Sequence, residues 1–329
     1  MKTEIKKIDK ESIDLAKNIL LNGGVIGMPT ETVYGLAGDG TNPTAVKEIF
    51  AVKGRPSDNP LIAHVHKDYD INKLVKVAVP YVDKIIKAFT PGPITLVLES
   101  RGVVCSEALA GGDTLAIRIP SHKGAQELLK AVDIPIVAPS ANLSKHVSPV
   151  SAEHVYNDLN GKIPLILDGG KCTGGIESTV LDCTGEVPRI LRAGLITKEM
   201  IEDLVGDCLI AKHKEGDKVK SPGVKYTHYK PNCETIMFYP NQKDEIINYY
   251  RECEKQGKKP YILTADYEEG FDGLNKLSLG STPKEIASNL YEKLLLGEKV
   301  ADVIIAVAMP DEKGINFGIM NRLKKSCGV

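Results

Sequence analysis

Polar and charged side chains of several kinds are concentrated between Met28 and His64. This segment reads MPTETVYGLAGDG, then a short helical pattern, then KGRPSDNPLIAH. Proline restricts the backbone in both loops, and glycine permits tight turns there. Hydroxyls, amides and cations on a restrained backbone are suited to binding a small anionic ligand, with Lys53 and Arg55 providing positive charge. Two surface loops with incidental charge are the alternative. The chemistry-bearing residues of the segment are Thr30, Glu31, Thr32, Tyr34, Lys53, Arg55, Ser57, Asn59 and His64.

An arginine lies inside an otherwise apolar strand pattern, TLAIRIP, at position 118. A buried arginine is costly unless it is paired. Arg118 therefore meets either a carboxylate of the protein or a carboxylate of a ligand, and the sequence leaves both possibilities open.

Three further polar segments lie next to strand patterns. PSANLS carries Ser140 and is followed by Ser148, DGGKCTGGIESTV carries Ser178, and Arg192 precedes Ala193-Gly194. Loops at one end of a sheet are a common place for an α/β site. We therefore expect these loops to form a site together with the first segment.

Apolar periodicity predicts how these residues are positioned. Helical patterns at 9–21, 42–52, 79–89, 124–131 and 197–205 alternate with strand patterns at 25–28, 61–65, 94–98, 114–119, 135–138, 165–167, 179–181 and 188–191. Residues 206–233 are polar and basic, which indicates a linker. Strands at 235–239, 260–264, 277–279 and 301–308 then alternate with helices at 243–255, 282–296 and 315–325. We predict a catalytic unit at 1–205, a linker or lid at 206–233, and a smaller doubly wound, Rossmann-like α/β domain at 234–329.

Composition excludes several classes of function. The formal net charge of −1 argues against broad non-specific nucleic-acid binding. The 7 cysteines include no CxxC pair, so neither structural zinc nor a disulfide framework is expected. No apolar run is long enough to span a bilayer, and the first twenty residues contain no signal-peptide core, so the expected compartment is the cytoplasm. GxxxxGK[ST], GxGxxG after a strand, HExxH and GxSxG are all absent.

Six motifs, in this order, strongly resemble those of the YrdC-type threonylcarbamoyl-AMP synthases: PTETVYGL, KGRPSDNPL with His64, TLAIRIP, PSAN, ESTV and LRAG. SPGVKYTHY and MNRLKK resemble the long form of that family, which adds a C-terminal domain. The resemblance covers most of residues 9–231 and continues more loosely to the end. It implies a YrdC-like open, twisted mixed sheet with helices.

The resemblance also implies a reaction. L-Threonine, bicarbonate or CO2, and ATP give threonylcarbamoyl-AMP and diphosphate, and a partner complex transfers the threonylcarbamoyl group to tRNA beside the anticodon. Mg2+ is expected to accompany ATP, held mostly by phosphate and water, with no metal site in the protein. Weak contact with RNA is conceivable. Threonine has a carboxylate that Arg118 could hold, and phosphoryl transfer needs positioning and charge neutralisation more than a nucleophilic side chain.

By this resemblance, the threonine site consists of Thr32, His64, Arg118, Ala138 and Ser178. The ATP site consists of Arg55, Asn59, Thr114, Ser140, Ser148, Arg192 and Tyr226. Lys53 and Arg55 neutralise charge at the reacting groups, and Tyr226 reaches over the site as part of a lid.

Each assignment has a structural alternative. Thr32 and Ser178 are also plausible as turn-capping hydroxyls, His64 as a core histidine, and Arg192 as one half of a surface salt bridge. Two other functions compete. An RNA-binding protein without catalysis would normally have more stacking aromatic residues than a chain with no tryptophan and 5 phenylalanines. An enzyme that transfers carbamoyl from carbamoyl phosphate would normally carry acylphosphatase and zinc-finger segments, which are not visible here.

Overall fold

A large mixed sheet organises the first two-thirds of the chain. The computed structural model describes residues 2–211 and 229–329. Within the first range twelve strands form one sheet in the order β1-β9-β2-β3-β8-β4-β7-β6-β10-β11-β12, with β5 beside β6. These strands are β1 Glu4–Lys7, β2 Ile26–Met28, β3 Gly35–Asp39, β4 Ile62–His64, β5 Val75–Lys76, β6 Ile94–Ser100, β7 Thr114–Arg118, β8 Ile136–Val137, β9 Leu165–Asp168, β10 Thr179–Asp182, β11 Arg189–Arg192 and β12 Leu209–Ile210. The predicted open mixed sheet is confirmed.

Helices cover both faces of this sheet. They are α1 Lys10–Leu21, α2 Pro43–Lys53, α3 Tyr81–Phe89, α4 Lys123–Val132, α5 Ala152–Leu159 and α6 Lys198–Val205. In β3, Ala37 packs in a cluster with α1 and α4, whereas its neighbour Leu36 packs with α2. Since neighbouring strand residues point to opposite faces, α1 and α4 lie on one face and α2 lies on the other.

Helix α2 delivers the basic residues of the first motif. Asn42 caps its start by accepting hydrogen bonds from the backbone of Thr44 and Ala45, and Pro43 occupies the first helical position. Gly54 ends the helix in the left-handed conformation, with φ of 60°. This turn directs the chain from Lys53 to Arg55.

A second, smaller sheet follows the predicted linker. Four parallel strands, β13 Glu234–Phe238, β14 Pro260–Thr264, β15 Lys276–Ser278 and β16 Val303–Val307, lie in the order β13-β16-β14-β15. Three helices cover them: α7 Lys243–Lys255, α8 Pro283–Val300 and α9 Ile315–Cys327. Helix α7 packs on Ile262 and Ile305, whereas α8 packs in the cluster of Leu263 and Ala306. The helices therefore lie on both faces, which confirms the doubly wound prediction.

Three strands of the large sheet, β1, β3 and β5, and the helix α5 beside it were not predicted from the sequence. Strand β3, GLAGD, has low strand propensity, yet it pairs antiparallel with β2 and is almost wholly buried. Strands β1 and β5 are short and partly exposed, and α5 buries only Ala152, Val155 and Leu159. One further difference concerns the predicted linker, because Leu209 and Ile210 form the edge strand β12 beside β11.

Helices α8 and α9 lie between the smaller sheet and the loops of the larger one. A Cβ atom at Gly175 would lie 2.3 Å from the carbonyl oxygen of Ala287 in α8, so only glycine allows this approach. The φ of Gly175 is also positive, at 72°.

Within the described residues, no helix combines the length and apolar character needed to cross a membrane.

An imidazole ring joins the two units at this interface. His146 Nδ1 lies 2.9 Å from Asp158 in α5, and its Nε2 lies 2.9 Å from Glu298 in α8. Asn232 also approaches Nε2, at 3.3 Å. Burial alone lowers the pKa of His146, but the hydrogen bonds to Asp158 and Glu298 raise it to about 9. The ring is therefore a cation that bridges two carboxylates.

Replacing His146 with glutamine should lower the free energy of unfolding by about 1–2 kcal/mol near pH 6.5 and by much less above the folded pKa. A pKa that is higher in the folded state gives stability that is complete below the unfolded value of 6.5. That stability is lost as the pH rises through about 9. Urea unfolding of both proteins across this pH range measures the difference.

Lys299→Met is the matched control, because Lys299 forms an exposed ion pair between the same two helices, 3.5 Å from Glu153. This variant should change stability little at either pH. An equal loss for His146→Gln at both ends of the pH range would contradict a charged imidazole at the interface.

Candidate functional site

A small cavity opens where strand ends and loops of the large sheet meet. The carboxyl ends of the parallel strands β4 and β7 provide His64 and Arg118, which are paired neighbours in the sheet. The cavity is lined by Val33, Arg55, Ile62, His64, Arg118, Ala138, Pro139, Ser140, Asn142, His146, Ser148, Glu177, Ser178, Arg192 and Tyr229.

The imidazole of His64 is a neutral group in this wall. Burial, together with the charge of Arg118, lowers its pKa to about 3. Its Nδ1 lies 3.1 Å from the carbonyl oxygen of Ile62. A carbonyl oxygen only accepts hydrogen bonds, so Nδ1 carries the proton and Nε2 is left as an acceptor.

Arg118 is paired with a carboxylate of the protein. Its Nη2 donates to Glu31 Oε1 at 2.7 Å, and Glu31 Oε2 accepts from the backbone amide of Ser121 at 3.1 Å. The first of the two predicted possibilities is thus observed. Arg118 also lines the cavity, and within the described residues its buried Nε has no hydrogen-bond partner. The guanidinium is held on one side and retains donor capacity for a ligand.

Lys53 holds the loop that follows β8 and does not line the cavity. Its Nζ donates to the carbonyl oxygens of Ser140 and Asn142, the latter at 2.6 Å. The amide of Ser144 donates back to the carbonyl of Lys53 at 2.9 Å. Burial and the charge of Arg55 lower the pKa of Lys53. In this arrangement Lys53 positions the loop carrying Ser140, and its predicted contact with reacting groups stays a prediction.

Ser178 and Arg192 form another part of the wall. Arg192 donates from Nε and Nη2 to the carbonyl oxygen of Ser178, at 3.2 and 3.0 Å. The hydroxyl of Ser178 lies 2.8 Å from that of Thr95. The backbone and side chain of Ser178 are therefore fixed from two sides.

Glu177 is a functional candidate that the sequence reasoning did not select. Its buried carboxylate accepts hydrogen bonds from Ser148 Oγ at 2.7 Å, the Tyr291 hydroxyl at 2.9 Å and Arg322 Nε at 3.2 Å. Burial raises its pKa, but the charges of Arg322 and Arg192 outweigh that effect and hold the pKa at about 2. The available signal was an acidic residue directly before Ser178 in a glycine-rich turn.

Tyr229 is the second residue missed. Its ring is buried and stacks on Tyr291, with ring centroids 5.3 Å apart. Tyr229 is the last residue of the SPGVKYTHY motif, but the sequence analysis assigned the contact to Tyr226, which lies outside the described residues.

The structure brings together most, but not all, of the predicted residues. The cavity contains four of the predicted threonine residues, His64, Arg118, Ala138 and Ser178, and four of the ATP residues, Arg55, Ser140, Ser148 and Arg192. Thr32, Asn59 and Thr114, like Lys53, do not line the cavity, and their roles stay predictions.

Thr32 is buried with its hydroxyl 3.0 Å from that of Thr30. The buried side-chain amide of Asn59 has no hydrogen-bond partner within the described residues. The backbone carbonyl oxygen of Asn59 accepts a hydrogen bond from Arg55 Nη2 at 3.3 Å. Thr114 begins β7, at the opposite end from Arg118.

Arg55, Arg118 and Arg192 line one cavity, and such a group of guanidinium side chains is suited to a small ligand with several negative charges. A family model described as "Telomere recombination", for Sua5, YciO and YrdC proteins, matches residues 18–194. A second, described as the C-terminal domain of threonylcarbamoyl-AMP synthase, matches residues 196–328. The chain belongs to the threonylcarbamoyl-AMP synthase family, which confirms the resemblance seen in its motifs.

Individual relatives extend over nearly the whole chain. The threonylcarbamoyl-AMP synthase of Pyrococcus abyssi is 39% identical, over 98% of this chain and 96% of its own length. That of Bacillus subtilis is also 39% identical, over 95% of this chain and 92% of its own. A crystal structure of P. abyssi Sua5 complexed with L-threonine matches with a TM-score of 0.93 and 38% identity, covering 99% of this chain and 98% of that one.

Replacing Lys53 with methionine should lower the free energy of unfolding by about 2–4 kcal/mol, because two buried carbonyl oxygens lose their donor. Urea unfolding measures this loss. Lys47→Met is the control on the same helix, since Lys47 is exposed and 3.4 Å from Glu107. If Lys53→Met kept normal stability but lost turnover, Lys53 would act on the substrates rather than on the loop.

Proposed function

We propose that this cavity is where L-threonine, bicarbonate or CO2, and ATP are converted to threonylcarbamoyl-AMP and diphosphate. The observation that carries the proposal is convergence. Side chains predicted separately for threonine and for ATP line one cavity, although they come from separate segments spread between positions 55 and 192. Family membership supports the reaction, and the shared cavity supports the proposed location.

The chemistry needs positioning and charge neutralisation. The neutral amine of threonine attacks CO2 and loses a proton to form a carbamate. A carbamate oxygen then attacks the α-phosphorus of ATP in line, the bond to the bridging oxygen breaks, and diphosphate leaves with the electron pair. No step forms a bond to the protein. Arg55 and Arg192 are placed to neutralise the phosphates, which is how such a transition state is stabilised.

Threonine recognition would use both ends of the amino acid. Arg118 would hold the carboxylate with the donor capacity that Glu31 leaves unused. His64 Nε2 and the hydroxyl of Ser178 would meet the hydroxyl of threonine. Ala138 would limit the space through its backbone and small side chain. Neutral His64 suits this role because a charged imidazolium would lack an acceptor.

ATP would enter as its magnesium complex, so that Mg2+ belongs to the substrate. No group of three or more His, Cys, Asp or Glu residues in the described ranges is arranged to hold a metal ion. Mg2+ keeps several waters and binds substrate phosphates, so the phosphates and water would hold most of the ion's coordination sphere. The predicted lid contact of Tyr226 with the nucleotide is kept as part of this proposal.

The product would be passed to a threonylcarbamoyl-transferase complex that acts on tRNA, with at most weak RNA contact by this chain. The cytoplasm is the proposed compartment because the product must reach tRNA. We also propose that residues 1–205 form the catalytic unit, 206–233 the linker or lid, and 234–329 the C-terminal domain. Strand β12 joins the start of that linker to the sheet.

The deciding experiment incubates the purified protein with ATP, labelled bicarbonate and single amino acids, and measures diphosphate release. Threonine-dependent release is expected. A non-catalytic RNA-binding protein would release none. An enzyme that uses carbamoyl phosphate would consume that compound instead of bicarbonate.

Threonine should be used far better than valine, its near-isostere. A site that hydrogen-bonds a hydroxyl group rejects an analogue lacking it, because buried polar groups are left unpaired. The ratio of kcat/KM for the two amino acids measures this discrimination. Equal values would show that His64 and Ser178 do not contact the side chain.

Arg55→Ala should reduce threonine-dependent diphosphate release by about 30- to 1,000-fold, through loss of a charge-assisted contact with the phosphates. Arg251→Ala is the control, because Arg251 is exposed on α7 and pairs with Glu254 at 2.7 Å. Circular dichroism would verify that both variants fold. A folded Arg55→Ala protein with the parent's rate would remove Arg55 from the site.

A further inference from the structure

The C-terminal domain reaches the wall of the cavity through two buried side chains. Arg322 of α9 is fully buried, and its Nε donates to Glu177 Oε2 at 3.2 Å. Its Nη1 donates to the carbonyl oxygens of Ala193 and Gly318. Tyr291 of α8 donates its hydroxyl to the same carboxylate oxygen, at 2.9 Å. Neither Arg322 nor Tyr291 lines the cavity.

Glu177 is poorly suited, on its own, to a site for phosphates. It lines the cavity beside Arg192, and both groups are buried. Burial lowers the pKa of Arg192 and the charge of Glu177 raises it, so the carboxylate acts electrostatically on this guanidinium. A carboxylate in this position repels a triphosphate and competes with it for the positive charge of Arg192.

We propose that Arg322 and Tyr291 are positioning residues for ATP binding. By engaging Glu177, they direct its negative charge toward the C-terminal domain and leave the field of Arg192 to the phosphates. The C-terminal domain would thus set the affinity of the cavity for ATP, although neither of these two side chains lines the cavity. The inference rests on the proposed function, because it assumes that ATP occupies this cavity.

A purely structural reading of this contact is less satisfactory. A fully buried ion pair stabilises a fold poorly in comparison with apolar packing of the same size. Within the described part of the chain, Nη2 of Arg322 is buried without a hydrogen-bond partner. The interface between the two units already contains many apolar residues that pack together. The contact of Arg322 is made instead to a carboxylate of the cavity wall.

A charge-balanced pair of variants separates the two readings. Arg322→Met removes the counter-charge and leaves Glu177 ionised, so the dissociation constant for a non-hydrolysable ATP analogue should rise about 10- to 100-fold. Glu177→Gln combined with Arg322→Met removes both charges, and its affinity should return to within about threefold of the parent's. The KM for threonine should change less than the affinity for ATP. Calorimetry measures binding, and steady-state diphosphate release measures the KM.

Lys324→Met is the matched control, because Lys324 lies on the same helix and pairs with Glu312 at the surface. It should bind the analogue like the parent. Tyr291→Phe removes a single hydrogen bond to Glu177 and preserves the ring stacked on Tyr229. It should weaken binding several-fold, and it keeps the test decisive if Arg322→Met does not fold.

Three outcomes would overturn the inference. The first is parental ATP affinity in folded Arg322→Met, or in Tyr291→Phe if Arg322→Met does not fold. The second is a double variant that binds no better than Arg322→Met. The third is an equal loss of affinity for threonine and for ATP, which indicates general damage to the fold. The proposed function fails separately, if the parent protein binds ATP but releases no diphosphate in response to threonine.

Discussion

The buried carboxylate of Glu177 constrains how the two sheets can be arranged. An ionised carboxylate leaves water at an acceptable free energy only where several donors converge on it. Here Ser148 belongs to the large sheet's loops, whereas Tyr291 and Arg322 belong to α8 and α9. Moving the C-terminal domain away would remove two of the three donors. The close approach of Gly175 to the backbone of Ala287 in α8 also exists only while the C-terminal domain is docked on the large sheet's loops.

The cations of the site follow the same rule, because each is held by oxygen atoms of the protein. Backbone carbonyls hold Arg55 and Arg192, and a carboxylate holds Arg118. Their positions are thus set before any substrate enters. A preorganised positive wall needs little rearrangement as negative charge develops on the transferring phosphoryl group, which is the largest contribution that such a site can make.

Local sequence signals were sufficient to predict much of the fold. They failed where contacts with residues distant in the sequence decide the local structure. The bounds of α7 were predicted correctly, and the start of α2 followed from Asn42 and Pro43. Strand β3 has two glycines and an aspartate, and its pairing with β2 on one side and β8 on the other makes it a strand.

The same distinction applies to the candidate site. The sequence placed His64 and Arg118 within strand patterns and the family resemblance assigned both to the threonine site, and in the structure each is the last residue of its strand. Thr114, predicted for ATP, begins the strand that Arg118 ends, and four residues along a strand span about 13 Å, so Thr114 lies well away from Arg118 and its role stays a prediction. Glu177 could not be recognised locally, since its partners Tyr291 and Arg322 are 114 and 145 residues away.

Two ionic contacts connect the cavity wall to the C-terminal domain, and they lie on different loops. His146, two residues before Ser148, is held by Glu298 of α8, while Glu177, next to Ser178, is held by Arg322 of α9. Ser148 itself donates to Glu177, so the two loops are also joined to each other. Any displacement of α8 and α9 must therefore disturb the predicted ATP side and the predicted threonine side together. Docking of the second domain therefore acts on both loops at once, in addition to the contacts with Lys53 and Arg192 that hold them within the first unit.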